Sequence, residues 1–309
     1  MATTERARVR FDDTDTRSDE MHSTIEQWAQ DLVEGVDDAR ASEQFQQWLD
    51  VQQRFHDYSY RNTLLITLQC PEATKVAGYN TWQTEFDRQV KQGEEAIWIW
   101  APIIAPQCPD CGNSPDYHAD TDCEYDATEP DEWSEGPVAF KPVPVFDVSQ
   151  TEGEPLPELD TAATGDATQL LPALCEAAST VGASVSLVDP DEWTHGDARG
   201  VCQAGSDEPT IEVLDQETAA ATAGTLIHEY AHALLHVGVD DDTERTKREL
   251  EAEAVAYIVG RHYGLNMDGS TFYLASWAAD DAEVILDRLD RISHTATTLL
   301  EATDSCLPG

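Results

Sequence analysis

Five consecutive residues, His228-Glu229-Tyr230-Ala231-His232, carry the sharpest chemical signal in this 309-residue chain. Histidines four apart lie on one helix face, one turn from each other, so both imidazoles can reach one ion. Glu229, beside the first, can hold a water near that ion and take its proton. A catalytic zinc site has three protein ligands and an open position, so a further ligand is needed. The following helical stretch reads Arg248-Glu249-Leu250-Glu251-Ala252-Glu253-Ala254-Val255-Ala256, and three glutamates compete. Glu249 shares a face with Ala252, Glu253, Ala256 and Gly260, and those small residues would let the second helix approach the first. Glu253, one turn on, is placed to bond the free nitrogen of a ligand histidine. Glu251 shares its stripe with Val255, Ile258 and His262, and a glutamate that is not a ligand is expected on a solvated face. The order of preference is Glu249, Glu251, Glu253.

A second group of metal-type ligands lies at Cys108-x2-Cys111-x6-His118-x4-Cys123. Four soft ligands within 16 residues match the spacing of a structural zinc knuckle, and Pro109 and Gly112 suit its tight turn. The competing reading is a loop with free thiols, since only one Cys-x-x-Cys pair is present.

The elements that must position these residues can be read from periodicity. Residues 24–59 have helical periodicity, with Ser42 as N-cap and Phe45, Trp48, Leu49, Gln52 and Phe55 on one stripe. A helix over Arg61–Leu68 ends before Pro71. Strands are expected at Thr74–Tyr79 and Ala96–Ala101, with a helical Trp82–Val90 between them. An acidic insert rich in Cys, Pro, Asp and Gly covers 106–136, a β-rich run covers Val138–Val148, and a Pro- and Glu-rich connector covers 151–160. The second half alternates helix and strand. Helix Asp166–Val181 precedes strands Ser184–Val188, Gly200–Gln203 and Thr210–Leu214. Helices follow at about 216–237, 243–263 (stopped by Gly264) and 280–300. The fold class is α+β. The expected domains are a disordered tail over 1–23, an N-terminal domain over 24–160 and a C-terminal domain over 161–309.

Composition limits the rest. The chain holds 18 Lys plus Arg against 61 Asp plus Glu, a net charge of −43, and only four lysines. A hydrophobic fraction of 40% is enough for a packed core, which argues against whole-chain disorder. Acidic surface with scarce lysine resembles proteins of extreme halophiles, which stay soluble in concentrated salt. No apolar run approaches the ~18 residues of a membrane helix, and the N-terminus has no apolar signal region, so a cytoplasmic protein is expected. Seven cysteines, three close together at 108, 111 and 123 and four scattered, are too sparse for a disulfide framework and agree with a reducing compartment. Residues 40–105 have a net charge of only −2 and hold ten of the 24 aromatics, whereas 106–160 carry −14.

Residues about 166–300 resemble a gluzincin-type metallopeptidase domain of the ImmA/IrrE and ArdC-type polyvalent kind. These families follow the first motif with a helix carrying Glu-x-x-Ala and a polar residue, matched here by Glu249, Ala252 and Glu253. The resemblance implies a zincin-like fold, His228, His232 and Glu249 as zinc ligands and Glu229 as general base. Residues about 24–160 resemble the single-stranded-DNA-binding domain of ArdC-type antirestriction proteins. Four blocks in order carry this: Arg61–Ile66, Val76–Trp82, Val90–Pro102 and Val145–Thr151. Asp87 departs from the pattern, where a glycine is expected. The cysteine cluster is outside the ArdC pattern.

Such DNA binders combine basic residues with aromatics on which bases stack. Arg61, Tyr79, Trp82, Arg88, Lys91 and Trp100 are the candidates, although Trp98 and Trp100 alternate with Ile97 and Ile99, so one set faces the core. In concentrated salt, stacking must carry more of the affinity than phosphate attraction. The expected function is a zinc-dependent peptidase acting on a peptide or protein, joined to a single-stranded-DNA-binding module, in antirestriction or mobile-element transfer. Two rivals are a DNA-binding protein with a purely structural zinc helix pair, and a regulatory protease that cleaves a repressor.

Overall fold

The computed structural model describes residues 8–35, 39–121, 123–125, 129, 132–155, 167–203, 208–237, 245–267 and 280–308. They form two compact units that do not follow chain order. One takes Met1–Ser23 with Val76–Glu154, and the other takes Thr24–Lys75 with Pro155–Gly309. The sequence reading instead grouped 24–75 with the strands that follow. Burial explains the difference: Phe45, Trp48, Leu49, Leu64, Leu65 and Ile66 are all at 0% exposure, on helices that pack against C-terminal helices.

The first unit is built on a three-stranded antiparallel sheet of order β1-β4-β3, comprising β1 (Val76–Gly78), β3 (Ile97–Pro106) and β4 (Glu135–Asp147). The β3–β4 ladder runs from Ile97↔Val145 to Pro106↔Glu135, with an irregularity between Ile103 and Ile104. Helix α4 (Tyr79–Thr84) follows β1 directly. The helix expected over Trp82–Val90 stops there, because β2 (Arg88–Val90) pairs with β5 (Thr151–Gly153) out of the expected connector. Asp87 stands between α4 and β2 at φ +51°, a left-handed conformation that glycine adopts at lower cost. Across the ladder, a Cβ on Gly153 would lie 2.5 Å from the Asp87 carbonyl oxygen, so that position admits only glycine without a shift. Within the insert, a short helix α5 covers Pro115–Ala119.

Helix α1 (Arg17–Glu34) begins in the first unit and continues into the second. Residues 8–23 are therefore folded rather than a disordered tail, with Phe11 and Met21 buried at 2% and 0% exposure. The remainder of that tail, 1–7, lies outside the described residues, as do 156–166 of the connector and domain boundary.

In the second unit α2 (Ala39–Gln52) and α3 (Tyr60–Gln69) precede α6 (Ala167–Val181), α7 (Ala219–Leu235), α8 (Arg245–His262) and α9 (Ala282–Asp304). Ser42 lies inside α2 rather than at its cap. The expected stripe is buried, Gln52 included at 0% exposure. A three-stranded sheet of order β6-β8-β7 joins them: β6 (Ser184–Val188) is parallel to β8 (Thr210–Leu214), and β7 (Gly200–Gln203) is antiparallel to it. Helix α7 packs on β7 and β8 and against α6 and α8. The Tyr230 hydroxyl, fully buried, donates to the Leu174 carbonyl on α6 at 2.6 Å and fixes the rotation of α7. Gly264 ends α8 at φ +73°. None of the described helices is long and apolar enough to cross a membrane.

Candidate metal centre

Helix α7 projects His228 and His232 one turn apart, and α8 lies alongside it. The two Nε2 atoms are 3.1 Å apart, and Glu249 Oε2 is 3.5 Å from His228 Nε2 and 3.6 Å from His232 Nε2. Ligands held ~2.1 Å from a tetrahedral ion stand roughly 3.4 Å from one another, so this triangle has the size of a metal site. Of the three competing glutamates, Glu249 is the one that meets both imidazoles.

The other glutamates have different partners. Glu253 Oε2 lies 3.4 Å from His228 Nδ1, the nitrogen turned away from the triangle. Glu251 is wholly buried, against the expectation of a solvated face. Its carboxylate pairs with the Arg288 guanidinium and with His236 Nε2 at 2.9 Å, and lies 3.7 Å from Arg291 Nη2. Arg288 also binds Asp280 at 3.0 Å, and Asp280 binds Lys247 at 2.6 Å. One buried carboxylate thus ties α7, α8 and α9 together.

His236 was not singled out from the sequence, and its position four residues after His232 was the available signal. His236 Nδ1 lies 3.1 Å from His232 Nδ1. The proton positions follow in a chain. Burial pushes the His236 pKa down despite Glu251, so the ring is neutral. The Glu251 carboxylate can only accept, so His236 Nε2–H donates to it and His236 Nδ1 keeps a lone pair. His232 Nδ1–H then donates to His236, which leaves His232 Nε2 bare and aimed into the triangle. Glu253, accepting from His228 Nδ1–H, orients the other imidazole in the same sense. Two ring nitrogens and a carboxylate oxygen therefore converge on one point that favours positive charge, and a metal ion fits this set.

The electrostatics agree. Burial lowers the His228 pKa, but Glu249 and Glu253 outweigh it and raise it to about 9. The two imidazoles beside it, His228 foremost, hold the Glu249 carboxyl well below the usual carboxylate range. Glu229 is 8% exposed, and burial raises its pKa against the pull of the two imidazoles. Its carboxylate is held against β7, where the Cys202 backbone bonds to it. A Cβ at Gly200 would fall 2.6 Å from Glu229 Cγ, so only glycine lets the strand pass this closely. A cleft of about 360 Å³ opens beside Glu229, walled by Arg199, Gly200, Thr225, His228, Glu253 and Met267 among others. Gly260, expected to ease the approach of the two helices, instead makes room for Met267: a Cβ there would lie 2.8 Å from Met267 Sδ.

Of the six DNA candidates, Arg61 belongs to the second compact unit and the other five to the first. Trp82 is 2% exposed and donates its indole N–H to the Phe146 carbonyl at 2.9 Å, so it is a core residue. Trp100 is 9% exposed, with His22 stacked on it at 4.6 Å between ring centroids, and the Arg17 guanidinium lies 3.5 Å over Trp98. The start of α1 therefore covers the Trp100 face that bases would need, so the stacking role expected of Trp100, like that of the core residue Trp82, is corrected. Arg88 is spent on the Thr151 side chain and backbone and the Glu154 carbonyl. Tyr79 is 45% exposed, and Lys91 is exposed with its ammonium on the Ser149 carbonyl. Phe140, 62% exposed and next to Lys141, is an outward aromatic that sequence reading missed, because it sits mid-strand in a Pro-rich run.

Residues 12–146 match the family model for the N-terminal domain of the anti-restriction factor ArdC. The chain is 25% identical over 277 residues to an uncharacterized Bacillus anthracis protein, pXO2-81, covering 81% of this chain and 46% of that one. It thus spans about half the length of the curated relative it matches. The fold is similar to two crystal structures of the antirestriction protein ArdC from plasmid R388. The metal-free form superposes with a TM-score of 0.51 at 18% identity, over 91% of this chain and 98% of that one. The Mn(II)-bound form gives the same score and identity over 90% and 97%. At this identity the likeness is one of fold, and that fold is ArdC-like.

Proposed function

We propose that this chain is a zinc-dependent peptidase joined to a single-stranded-DNA-binding module, acting in antirestriction or a related task of a mobile element. The observation that carries the hydrolase reading is Glu229, a buried carboxylate with a raised pKa beside a triangle of two imidazoles and a carboxylate. A purely structural ion has no use for such a group. His228, His232 and Glu249 would hold the ion, and a His2Glu donor set suits zinc. The Mn(II)-bound relative supports a divalent metal in this fold. When bound, the ion supplies Lewis acidity to a water and to the scissile carbonyl. Glu229 accepts the proton of the attacking water and returns it to the departing amine nitrogen. His236 and Glu253 hold the two imidazoles with Nε2 inward. Strand β7 is an edge of its sheet, and the cleft lies beside it, which suits an extended peptide pairing along the strand. An acidic, lysine-poor surface supports a cytoplasm rich in salt as the working environment.

Glu229→Gln tests the reading. The variant is expected to keep its fold and zinc content while cleavage of unfolded casein or a peptide library falls at least ~10²-fold, the usual contribution of a general base. Cleavage by the wild type that the variant matches would exclude Glu229 as the base. For the DNA module, anisotropy of a labelled oligonucleotide in molar KCl is expected to rise on addition of protein, and Tyr79→Ala to weaken that binding.

Metal uptake should depend on pH in a defined direction. His228 keeps its proton up to about pH 9 in the metal-free protein, whereas Glu249 stays ionised. Each ion bound below pH 9 must expel that proton, so zinc affinity should rise up to tenfold per pH unit between 7 and 9 and then level off. Affinity that is flat from pH 7 to 9 would contradict the raised His228 pKa. The same linkage means that His228 stabilises the metal-free fold fully below about pH 6.5, a contribution lost as pH rises through about 9.

A further inference from the structure

We infer that Cys108, Cys111, His118 and Cys123 form a structural zinc site that folds the loop between β3 and β4, separate from the metal centre on α7 and α8. The four ligand atoms, three Sγ and one imidazole nitrogen, all lie within 4.8 Å of one another. Zinc bound by thiolates at ~2.3 Å and imidazole at ~2.0 Å draws its ligands to within roughly 4 Å of each other, so only a small contraction is needed.

The local backbone is built for this. Cys108 N–H donates to the Asn113 carbonyl at 2.9 Å, and Gly112 N–H donates to the Cys108 carbonyl at 2.9 Å, closing a tight turn between the first two ligands. Gly112 takes φ +72° to complete it. Helix α5 then carries His118 back, with its Nδ1 3.5 Å from Cys111 Sγ. Thr121, bonded through its N–H and its hydroxyl to the His118 carbonyl, reverses the chain toward Cys123. Trp133 is 6% exposed and meets the His118 ring edge-on at 5.1 Å.

The physical need for an ion is visible in the composition. Residues 107–134 hold nine acidic and no basic residues. Cys108 and Trp133 are their buried apolar side chains among the described residues. A segment of this size cannot bury enough apolar surface to order itself, and small modules of this kind use disulfides or metals. Cys108, Cys111 and Cys123 are not joined by disulfides, which leaves the metal. Three thiolates and an imidazole select zinc over manganese, magnesium or calcium. Because the loop continues the β3–β4 ladder, the ion would hold the end of that hairpin.

The test uses the full-length protein, purified under reducing conditions with zinc and then exchanged with cobalt(II). Cobalt held by three thiolates is expected to give intense sulfur-to-metal absorption in the near ultraviolet, which two histidines and a glutamate cannot produce. His228→Ala/His232→Ala should retain this band, and Cys111→Ser should lose most of it. Should Cys111→Ser not fold, thiol labelling of the wild type decides instead. Cys111 and Cys123 should resist N-ethylmaleimide until a chelator is added and then react together, while Cys175 and Cys306 react alike in both states. Absence of the band, its loss in the histidine variant, or chelator-independent labelling of Cys111 and Cys123 overturns the site. These readouts follow sulfur alone, so they stand or fall independently of peptidase activity.

Discussion

Glu249→Ala is expected to lower zinc affinity at the α7–α8 centre by more than ~100-fold. Glu253→Ala is expected to lower it by ~10–100-fold, as the loss of a partner to a ligand histidine does. Glu249 Oε2 is 3.5 and 3.6 Å from the two Nε2 atoms, so removing it leaves two imidazoles on one helix face and no negative charge between them. Glu253 touches the outward nitrogen of His228 at 3.4 Å, so its loss frees the ring to turn but leaves all three proposed ligands in place. The measurement is competition against a chromogenic chelator, with zinc retained by His228→Ala/His232→Ala subtracted as background. Glu249→Ala binding as tightly as wild type would show that the third ligand is another group. A larger loss in Glu253→Ala than in Glu249→Ala would exchange their roles.

Glu251→Ala should instead act on stability, by about 3 kcal/mol. Breaking a buried ion pair by removing one partner costs ~3–5 kcal/mol, because the other charge is left in a low dielectric. The lower end applies here, since Arg288 keeps Asp280 at 3.0 Å. For a unit of this size the melting temperature should fall by roughly 6–12 °C. Urea unfolding of metal-free Glu251→Ala, Arg288→Met and the double variant forms a thermodynamic cycle. The double variant should be less destabilised than the two singles summed, because neither charge is then stranded. Strict additivity would mean that the two side chains do not act as a pair. His236 also loses its acceptor in Glu251→Ala, so a smaller drop in zinc affinity should accompany the loss of stability.

What was legible in the sequence was what is local. The spacing of His228, Glu229 and His232 places them on a helix whatever surrounds it, and the strands at 184–188, 200–203 and 210–214 appear where their apolar runs do. Ala252 and Ala256 beside Glu249, though not Gly260, favoured the glutamate that lies near both imidazoles. The Cys-x-x-Cys turn, with Gly112 in its left-handed conformation, is equally a property of a few consecutive residues.

The tertiary structure decided what depends on partners distant in the chain. Glu251 and Glu249 are two residues apart with the same side chain. One is buried and the other half-exposed, because α9 delivers Arg288 to one and α7 delivers two histidines to the other. Trp100 has the composition of a base-stacking residue, but His22, 78 positions earlier, lies on its ring. Residues 8–23 have the polarity of a tail, but they contribute Phe11, Arg17 and Met21 to a packed unit. Helices 24–75 precede the sheet in sequence yet pack with the C-terminal half, because their apolar faces are buried there. Pattern and spacing settle which face of an element is apolar and which residues share it. Which other face covers it is set by burial summed over the whole chain, and no window of neighbouring residues contains that sum.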